Sequence, residues 1–360
     1  MKVCLIGQNL TNLILSLVFV EKKLNVDLYI NNKNRNIKTN RTIAISKDNF
    51  DYIKSLVKTH LPHWKTKEIK IYIETKKKKE SINFKNKNRE TFNLLNYSKL
   101  KDILYKKIKK NKSINIIKQN PFQSNLINKI KKYDLVINSE INNIISKKYF
   151  TNRIFKKYES CAYTFVINHK KINNTNAIQI FTKNGPLAFL PISNTKTSIV
   201  FSYEGKEINN NDFLKLFKKY NSFYKINKVT DIEKFNLGFM MLRNYTHDNI
   251  LAFGDAIHRI HPLAGQGFNM TIRDIKILAG IIDSRISLGL PIDSSVGNDF
   301  QISTKHLNYL YGKAIDGIYE FFKVDNDLDN LISKPLLSIL NKNHMFKKFS
   351  NIISDKGLYL

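Results

Sequence analysis

The chain has 360 residues, enough for two compact domains, and its 60 Lys and Arg against 29 Asp and Glu give a net charge of +31. The basic residues are spread along the chain beside abundant Asn and Ile, without the spacing of an RNP motif, a zinc finger or a helix-turn-helix, which argues against a nucleic-acid-binding protein. The two cysteines, Cys4 and Cys161, make neither a disulfide framework nor a metal site, and we expect a reducing cytoplasm. No apolar stretch reaches the ~18 residues of a transmembrane span, although a positive surface favours attachment to an anionic membrane.

The amino-terminal part of the chain alternates between short apolar runs and stretches with helical spacing. Residues 2–6 predict a strand, Gly7 a turn, the residues up to about 22 a helix, and residues 25–30 a second strand. This β-turn-helix-β order is typical of the opening of a dinucleotide-binding fold. The pattern further predicts helices over 47–58 and 93–110 and strands over 69–74, 114–117 and 134–139.

From about residue 160 to 240 the pattern changes to successive strands separated by turns, which predicts a mostly antiparallel sheet with one helix over 212–220. The predicted strands are residues 162–168, 177–182, 186–193 and 197–203. Because the dinucleotide-binding pattern returns after this sheet, we predict that the first domain is discontinuous. Residues 300–360 predict helices.

Residues 249–282 combine an apolar strand, a Gly-Asp turn, a loop rich in His, Pro and Gly, and an amphipathic helix. Gly254 and Asp255 close the strand, and Asn269 is expected to open the helix, whose N-terminal N–H groups favour an anionic or electron-rich ligand. The loop is shaped by Pro262, Gly265, Gln266 and Gly267. This segment resembles the second flavin-binding signature of the FAD-dependent aromatic-ring hydroxylases, specifically their ubiquinone-biosynthesis branch.

Two further segments resemble the same family. Residues 40–46, "NRTIAIS", are similar to the segment that follows strand two in these hydroxylases, and residues 184–193, "NGPLAFLPIS", to a strand pair on the substrate side. The resemblance implies an α/β fold similar to p-hydroxybenzoate hydroxylase, in which a Rossmann-like FAD-binding domain is interrupted by an antiparallel substrate-side sheet. The boundaries that we predict are 1–65, 93–158 and 245–300 for the FAD-binding domain, 66–92 and 159–244 for the sheet domain, and 301–360 for a C-terminal helical segment.

The chain departs from the family pattern at three places. In the first Gly-rich turn Gly7 is present, but Asn9 and Asn12 stand where the other two glycines belong. In place of the acid that binds the adenosine ribose, strand two ends in Ile30, Asn31 and Asn32; Asp27, inside that strand, is expected at an edge or on the surface. In place of the Asp-Gly motif after the strand at 134–139 stand Glu140 and Ile141.

The resemblance also implies roles for single residues. Asp255 accepts a ribityl hydroxyl of FAD, with Gly254 allowing a close approach, and Arg41 lies near the flavin or its phosphates. Pro262 and the backbone of residues 265–267 face the isoalloxazine ring, and Asn269 caps the helix or reaches the ring. Gly7 lets the backbone of the turn approach the FAD pyrophosphate closely.

Two histidines of the loop are also candidates for acid or base residues, because histidine titrates near neutrality. We interpret His258 and His261 as residues that shape the loop and hydrogen-bond its backbone, since the flavin supplies the oxygen chemistry. No metal ligand set is apparent, and no catalytic residue is assigned.

By this resemblance the chain hydroxylates the ring of a polyprenylated ubiquinone precursor through a flavin hydroperoxide, with NAD(P)H and O₂, and docks on the inner membrane. Phe189, Phe201 and Phe239 are candidates for an apolar channel, although core packing is the simpler interpretation of each. One alternative, suggested by the altered motifs, is a non-catalytic family member that serves as a binding subunit of a ubiquinone-biosynthesis complex. A nucleic-acid-binding protein on the same fold is a more distant alternative, which a steep salt dependence of binding would support.

Overall fold

The computed structural model describes residues 2–31, 39–74, 80–85, 90–120 and 125–358. Within them the chain forms 18 strands and 10 helices. The strands are β1 (Lys2–Ile6), β2 (Asn25–Ile30), β3 (Thr42–Ser46), β4 (Trp64–Thr66), β5 (Glu68–Ile73), β6 (Glu80–Lys85), β7 (Phe92–Asn96), β8 (Ile114–Lys118), β9 (Leu135–Asn138), β10 (Arg153–His169), β11 (Asn176–Thr182), β12 (Gly185–Ser193), β13 (Lys196–Glu204), β14 (Ile226–Val229), β15 (Glu233–Leu242), β16 (Thr246–His247), β17 (Ile250–Ala252) and β18 (His258–Arg259). The helices are α1 (Leu10–Glu21), α2 (Lys47–Val57), α3 (Tyr97–Lys109), α4 (Asn125–Ile130), α5 (Ile144–Tyr149), α6 (Asn210–Tyr220), α7 (Gln266–Ser287), α8 (Ser294–Asp327), α9 (Ser333–Lys342) and α10 (His344–Lys356).

Residues 93–110, predicted as one helix, are divided between β7 and α3. The prediction is wrong for the first four residues, because a short apolar run cannot be assigned to strand or helix by periodicity alone. Asn96 marks the change: it ends β7, and its side chain caps α3 by accepting a hydrogen bond from the Lys99 N–H at 3.0 Å.

Six strands form a sheet in the order β16-β17-β9-β1-β2-β8, parallel except for the pairing of β16 with β17. The long strands of this sheet are almost wholly apolar and buried, as is typical of a parallel sheet with helices on its faces. The chain passes from β1 outward to β2 and β8, then returns on the other side of β1 as β9 and β17. The strand order thus reverses at β1, and ligands of such sheets bind at the carboxyl ends of the strands beside the reversal.

Asp27 lies inside β2, between β1 and β8, and is buried, so the expectation of an edge or surface residue is wrong. Its carboxylate accepts hydrogen bonds from Tyr133 and Asn115 and pairs with Lys2. Although burial opposes this, these hydrogen bonds lower the pKa of Asp27. Asp27 is therefore part of the sheet's own polar network.

The second sheet has nine strands, in the order β18-β15-β10-β13-β12-β11-β5-β6, with β14 beside β10. Its pairings are antiparallel except that of β11 with β5, which confirms a mostly antiparallel sheet inserted between parts of the first. Helix α6 packs Phe213 and Phe217 against it, and the fully buried Phe189 and Phe201 belong to the same cluster. Core packing is therefore confirmed for these two, while the equally buried Phe239 packs in a separate cluster with α8.

The remaining elements join the two sheets. Strands β3, β7 and β4 form a small antiparallel sheet, and the last helices follow: α9 packs on β6, and α10 on α2 and α7. None of the helices in the described part of the chain is long and apolar enough to cross a membrane. The domain boundaries given above stay a prediction.

Candidate functional site

Three strands of the six-stranded sheet end side by side. Ile6 of β1 pairs with Asn138 of β9, and Asn138 pairs with Ala252 of β17. The residues that follow each strand therefore meet at one edge, beside the point where the strand order reverses. Gly7 begins the first of these segments, and Asp255 lies in the third.

The turn after β1 retains one glycine of the phosphate-binding pattern. Gly7 has a φ of +116°, a conformation that favours glycine. Asn9 caps α1, since its Oδ1 accepts a hydrogen bond from the Asn12 N–H at 3.1 Å, and its Nδ2 donates to Ser139 Oγ at 2.8 Å. The buried Asn12 Nδ2 donates to the Gly7 carbonyl at 2.9 Å. The two Asn side chains thus fill the space of the missing glycines with hydrogen bonds that hold the turn.

The end of β2 supplies no acid for an adenosine ribose. Ile30 is buried, Asn31 follows it, and Asn32 lies outside the described residues. The structure thus places a buried apolar side chain, Ile30, at the last position of β2.

The side chain of Glu140 lies on Gly7. A Cβ at Gly7 would come within 2.5 Å of both Cγ and Oε1 of Glu140. The carboxylate accepts a hydrogen bond from the Gln8 N–H, just before α1, and burial together with the negative charge of Asp255 raises the pKa of Glu140. A carboxylate of the chain itself thus stands at the turn where the resemblance expects a phosphate.

Gly254 and Asp255 lie in a 3-10 turn directly after β17. Gly254 has a φ of +57°, and a Cβ there would lie 3.1 Å from the Thr11 side chain, so this turn packs closely on α1. Asp255 is exposed, and its carboxylate has no hydrogen-bond partner in the described part of the chain. The carboxylate of Asp255 is therefore accessible at the carboxyl ends of the strands, next to Gly254, whose backbone conformation favours glycine.

Asn269 lies inside α7, so the prediction that it opens the helix is wrong. The helix begins at Gln266, and Gly265, with a φ of +65°, is its N-cap. Asn269 Oδ1 accepts from the Ser46 N–H at 2.9 Å, while its Nδ2 donates to the carbonyls of Ala44 at 2.9 Å and Gly265 at 3.0 Å. The side chain therefore ties α7 to β3.

Gln266 connects the loop to the carboxyl-terminal helices. It accepts a hydrogen bond from the Tyr311 hydroxyl at 2.7 Å and donates one to Ser354 Oγ at 2.9 Å. Ser354 belongs to α10, which sequence reasoning did not associate with this site, because no local pattern announces a contact over such a distance in sequence. Pro262 and Gly267 remain partly exposed on the same loop.

Within the described residues neither loop histidine hydrogen-bonds the loop backbone, so that part of the interpretation is wrong. His258 Nε2 lies 2.8 Å from Asp274 Oδ2, and both side chains are fully buried. His261 stacks on Tyr319 with ring centroids 4.2 Å apart, and neither ring nitrogen has a partner within the described residues. Burial lowers the pKa of His261 to about 3, so the ring is neutral near pH 7. Across the described ranges no three His, Cys, Asp or Glu side chains could hold a metal ion.

Arg41 lies just before β3, on the side facing α3. Its guanidinium is 5.4 Å from the ring centroid of Tyr97, and its carbonyl accepts a hydrogen bond from the Tyr97 N–H at 2.9 Å. Burial raises the pKa of Tyr97, an effect that Arg41 opposes and that Asp255 and Glu140 reinforce. Arg41 thus contributes a positive charge near the edge that carries the two acids.

The fit of FAD to this edge differs between its two halves. The flavin half would meet the exposed Asp255 and the glycines at 254 and 265, both with positive φ. The diphosphate half would meet Gly7, over which Glu140 lies. The residues fit FAD once the Glu140 side chain turns away from Gly7.

Comparisons with known proteins point to the same cofactor. A family model described as FAD binding domain matches residues 214–286, a segment that includes the whole loop from Gly254 to Asn269. Two similar solved structures cover nearly the whole chain. A p-nitrophenol 4-monooxygenase from Pseudomonas putida DLL-E4 has a TM-score of 0.79 at 10% identity, covering 99% of this chain and 98% of that one. A probable FAD-dependent monooxygenase from Pseudomonas aeruginosa has a TM-score of 0.69 at 14% identity, covering 94% and 99%.

Curated relatives match shorter segments. A mitochondrial ubiquinone biosynthesis monooxygenase of Dictyostelium discoideum is 26% identical over an alignment of 183 positions, which covers 40% of this chain and 37% of the relative. The 3-demethoxyubiquinol 3-hydroxylase of Escherichia coli K12 is 31% identical over 153 residues, 40% of this chain and 39% of the relative. An uncharacterized protein of Synechocystis is 29% identical over 146 residues, 38% and 34%. The matched part of the chain thus spans well under half the length of these relatives.

These matches confirm the resemblance to FAD-dependent aromatic-ring hydroxylases and the predicted α/β fold with its inserted sheet, and the family model assigns residues 214–286 to an FAD binding domain. The roles of individual residues stay predictions.

Proposed function

We propose that the chain is an FAD-dependent monooxygenase that hydroxylates the aromatic ring of a polyprenylated ubiquinone precursor, with NAD(P)H as electron donor. The observation that carries the proposal is the accessible carboxylate of Asp255 at the reversal of the six-stranded sheet, on a loop similar to the flavin signature. The named functions of the relatives, ubiquinone biosynthesis monooxygenase and 3-demethoxyubiquinol 3-hydroxylase, support the reaction class and the substrate. They favour an enzyme over a non-catalytic binding subunit.

In this proposal the loop and the two strand ends hold the cofactor. Asp255 accepts a ribityl hydroxyl, and Arg41 offers a positive charge to the phosphates. The remaining proposed cofactor-binding residues are Gly7, Gly254, Pro262, Gly265, Gln266, Gly267 and Asn269. When bound, FAD supplies the activation of O₂ with electrons from NAD(P)H, so that one oxygen atom enters the ring and the other leaves as water.

The chain's own contribution is to position the ring and to exclude water. Asn269 and Gln266 fix the loop to β3, α8 and α10, so the backbone beside the cofactor is held on several sides. A rigid loop keeps the substrate ring in one orientation, which lowers the entropic part of the activation barrier.

A lipid-tailed substrate fits a protein that attaches peripherally to a membrane. In the carboxyl-terminal helices Ile339, Met345 and Phe349 expose 65%, 82% and 53% of their surface, beside the exposed Lys342 and Lys348. An apolar surface with positive charges around it suits an anionic lipid surface. We therefore include peripheral membrane attachment, on a cytoplasmic face, in the proposal.

The proposal is tested first by the visible absorption spectrum of the purified chain with and without added FAD. We expect a bound-flavin spectrum in the wild type, followed by NAD(P)H- and O₂-dependent hydroxylation of a prenylated phenol presented in phosphatidylglycerol vesicles. Co-sedimentation with these vesicles measures attachment in the same samples. A protein that is colourless as purified and binds no FAD when FAD is added in excess would contradict the proposal.

Replacing Asp255 by Ala tests the ribityl contact. We expect the Kd of FAD to rise by roughly 10- to 100-fold, because a hydrogen bond to a charged group is lost. Asp134→Ala is the matched control, since it removes an exposed carboxylate before β9, at the opposite edge of the same sheet. Full flavin occupancy in Asp255→Ala would mean that the ribityl chain lies elsewhere.

A further inference from the structure

We propose that Glu140 is a selectivity residue of the cofactor site: its carboxylate takes the phosphate position at the Gly7 turn, so that phosphate-bearing flavins bind only when this side chain is displaced. The inference rests on the proposed flavin site. It adds that the chain discriminates between flavins by their phosphates, through the glutamate that stands in place of the Asp of the Asp-Gly motif.

The position of the carboxylate follows from the ends of β1 and β9. Since Ile6 pairs with Asn138, the segment after β9 runs past the turn after β1. The Glu140 Cγ and Oε1 lie 2.5 Å from where a Cβ of Gly7 would be, and the Gln8 N–H donates to the carboxylate. The space that a glycine leaves open for close approach of a phosphate is therefore filled by an acid of the same chain.

The main chain of Glu140 is fixed, so only its side chain can leave the turn. The carbonyl of Glu140 accepts a hydrogen bond from Ser146 Oγ at 2.6 Å, and its N–H donates to Asn138 Oδ1 at 3.3 Å. Asn138 Oδ1 is held in turn by Asn143 Nδ2 at 2.7 Å. A carboxylate anchored this way competes with an external phosphate at a high effective concentration.

The charges around Glu140 set the direction of a pH effect. Asp255 faces it from the turn after β17, Lys101 from α3 and Arg259 from β18, with the Gln8 N–H before α1. Burial and Asp255 raise the pKa of Glu140. A protonated Glu140 leaves the turn more readily and does not repel a phosphate, so the affinity for FAD should rise as the pH falls through this raised pKa.

The test is the Kd of FAD and of riboflavin, which has no phosphate, for the full chain, measured by quenching of flavin fluorescence at pH 8 and pH 5.5. The variants are Glu140→Ala, which empties the turn, and Glu140→Gln, which removes only the charge. Glu207→Gln is the matched control: its carboxylate is exposed and pairs with Lys234 on the second sheet. Thermal unfolding of each variant shows that the fold is kept.

We expect Glu140→Ala to tighten FAD binding at least about tenfold at pH 8, and riboflavin binding by less than about twofold, because only the phosphates meet the acid. In the wild type the Kd of FAD should fall from pH 8 to pH 5.5, because the pKa of Glu140 is raised, and both Glu140 variants should lose this change. Glu207→Gln should behave as the wild type.

Two results overturn this inference and are distinct from failure of the flavin proposal. If the wild type binds riboflavin and FAD alike well and Glu140→Ala changes neither, Glu140 does not occupy the phosphate position. Weaker FAD binding in Glu140→Ala would mean that the acid assists the cofactor. If neither flavin binds to any variant, the proposed function itself is wrong, and this inference with it.

Discussion

The loop of residues 254–269 and the turn of residues 7–12 follow strands of the same sheet, and both lead into a helix that packs on it. In the loop, glycines keep the positive φ at 254 and 265, buried amides bond to neighbouring elements, and Asp255 faces solvent. In the turn only Gly7 keeps such a φ; two asparagine amides bond back to the turn and to the β9 segment, and Glu140 covers Gly7. The comparison shows that polar side chains can replace glycines without loss of fold, while filling the space that a ligand would use.

The largest effect is expected from Asn269→Ala in the loop. Its side chain makes hydrogen bonds with Ser46, Ala44, Gly265 and Asn49, and their loss leaves buried polar groups without partners. We expect the free energy of unfolding to fall by about 3 kcal/mol or more, measured by urea denaturation.

Asn298→Ala is the matched control for that variant, because the exposed Asn298 makes one hydrogen bond with Thr246 on the surface of α8. Its effect should stay within about 0.5 kcal/mol. Equal losses for the two variants would show that the amide of Asn269 is not what joins the loop to β3.

A smaller effect concerns the pH dependence that the loop imposes through His261. Burial lowers the pKa of His261 to about 3, against an ordinary value of 6.5 in the unfolded chain. The unfolded state therefore binds the proton first, and stability is lost as the pH falls from about 6.5 towards about 3. Between pH 7 and pH 5 this loss amounts to about 2 kcal/mol.

His261→Phe should abolish that part of the pH dependence, while His306→Phe, at an exposed position of α8, should leave it unchanged. The measurement is the free energy of unfolding by urea at pH 7, 6 and 5. An unaltered slope in His261→Phe would mean that the ring is solvated or charged in the folded chain.

The smallest effect is expected from Asn12→Gly in the turn, which restores a glycine of the family pattern. The variant loses the hydrogen bond to the Gly7 carbonyl and places glycine inside α1, so stability should fall by about 1–2 kcal/mol. FAD affinity should not improve, because Glu140 still covers Gly7. Asn12→Ala separates the lost amide from the backbone cost of glycine. A lower Kd of FAD in Asn12→Gly alone would show that the side chain of Asn12, and not Glu140, limits access to the turn.

Local sequence patterns predict strands and helices correctly where one face or both faces of the element are uniformly apolar. The strands at 2–6, 25–30 and 134–139 and the helix at 212–220 are confirmed because their periodicity reflects burial directly. The wrong prediction of secondary structure lies where the local sequence pattern and the tertiary contacts favour different structures. The apolar residues of Phe92–Asn96 are compatible with a helix, yet this segment is a strand that pairs with β3 and β4. These partners lie elsewhere in the sequence, so a local pattern does not reveal the pairing.

For the site, the sequence by itself determined which residue types stand in the loop and the turn, the missing glycines at Asn9 and Asn12, and the resemblance to flavin hydroxylases. Only the tertiary structure decided what those residues contact. The register of β1, β9 and β17 brings Glu140 onto Gly7 beside Asp255, and α10 returns to Gln266 from the end of the chain. The physical reason is that residue types are local properties, whereas burial, hydrogen-bond partners and pKa depend on distances between segments that are set only when the sheets pack.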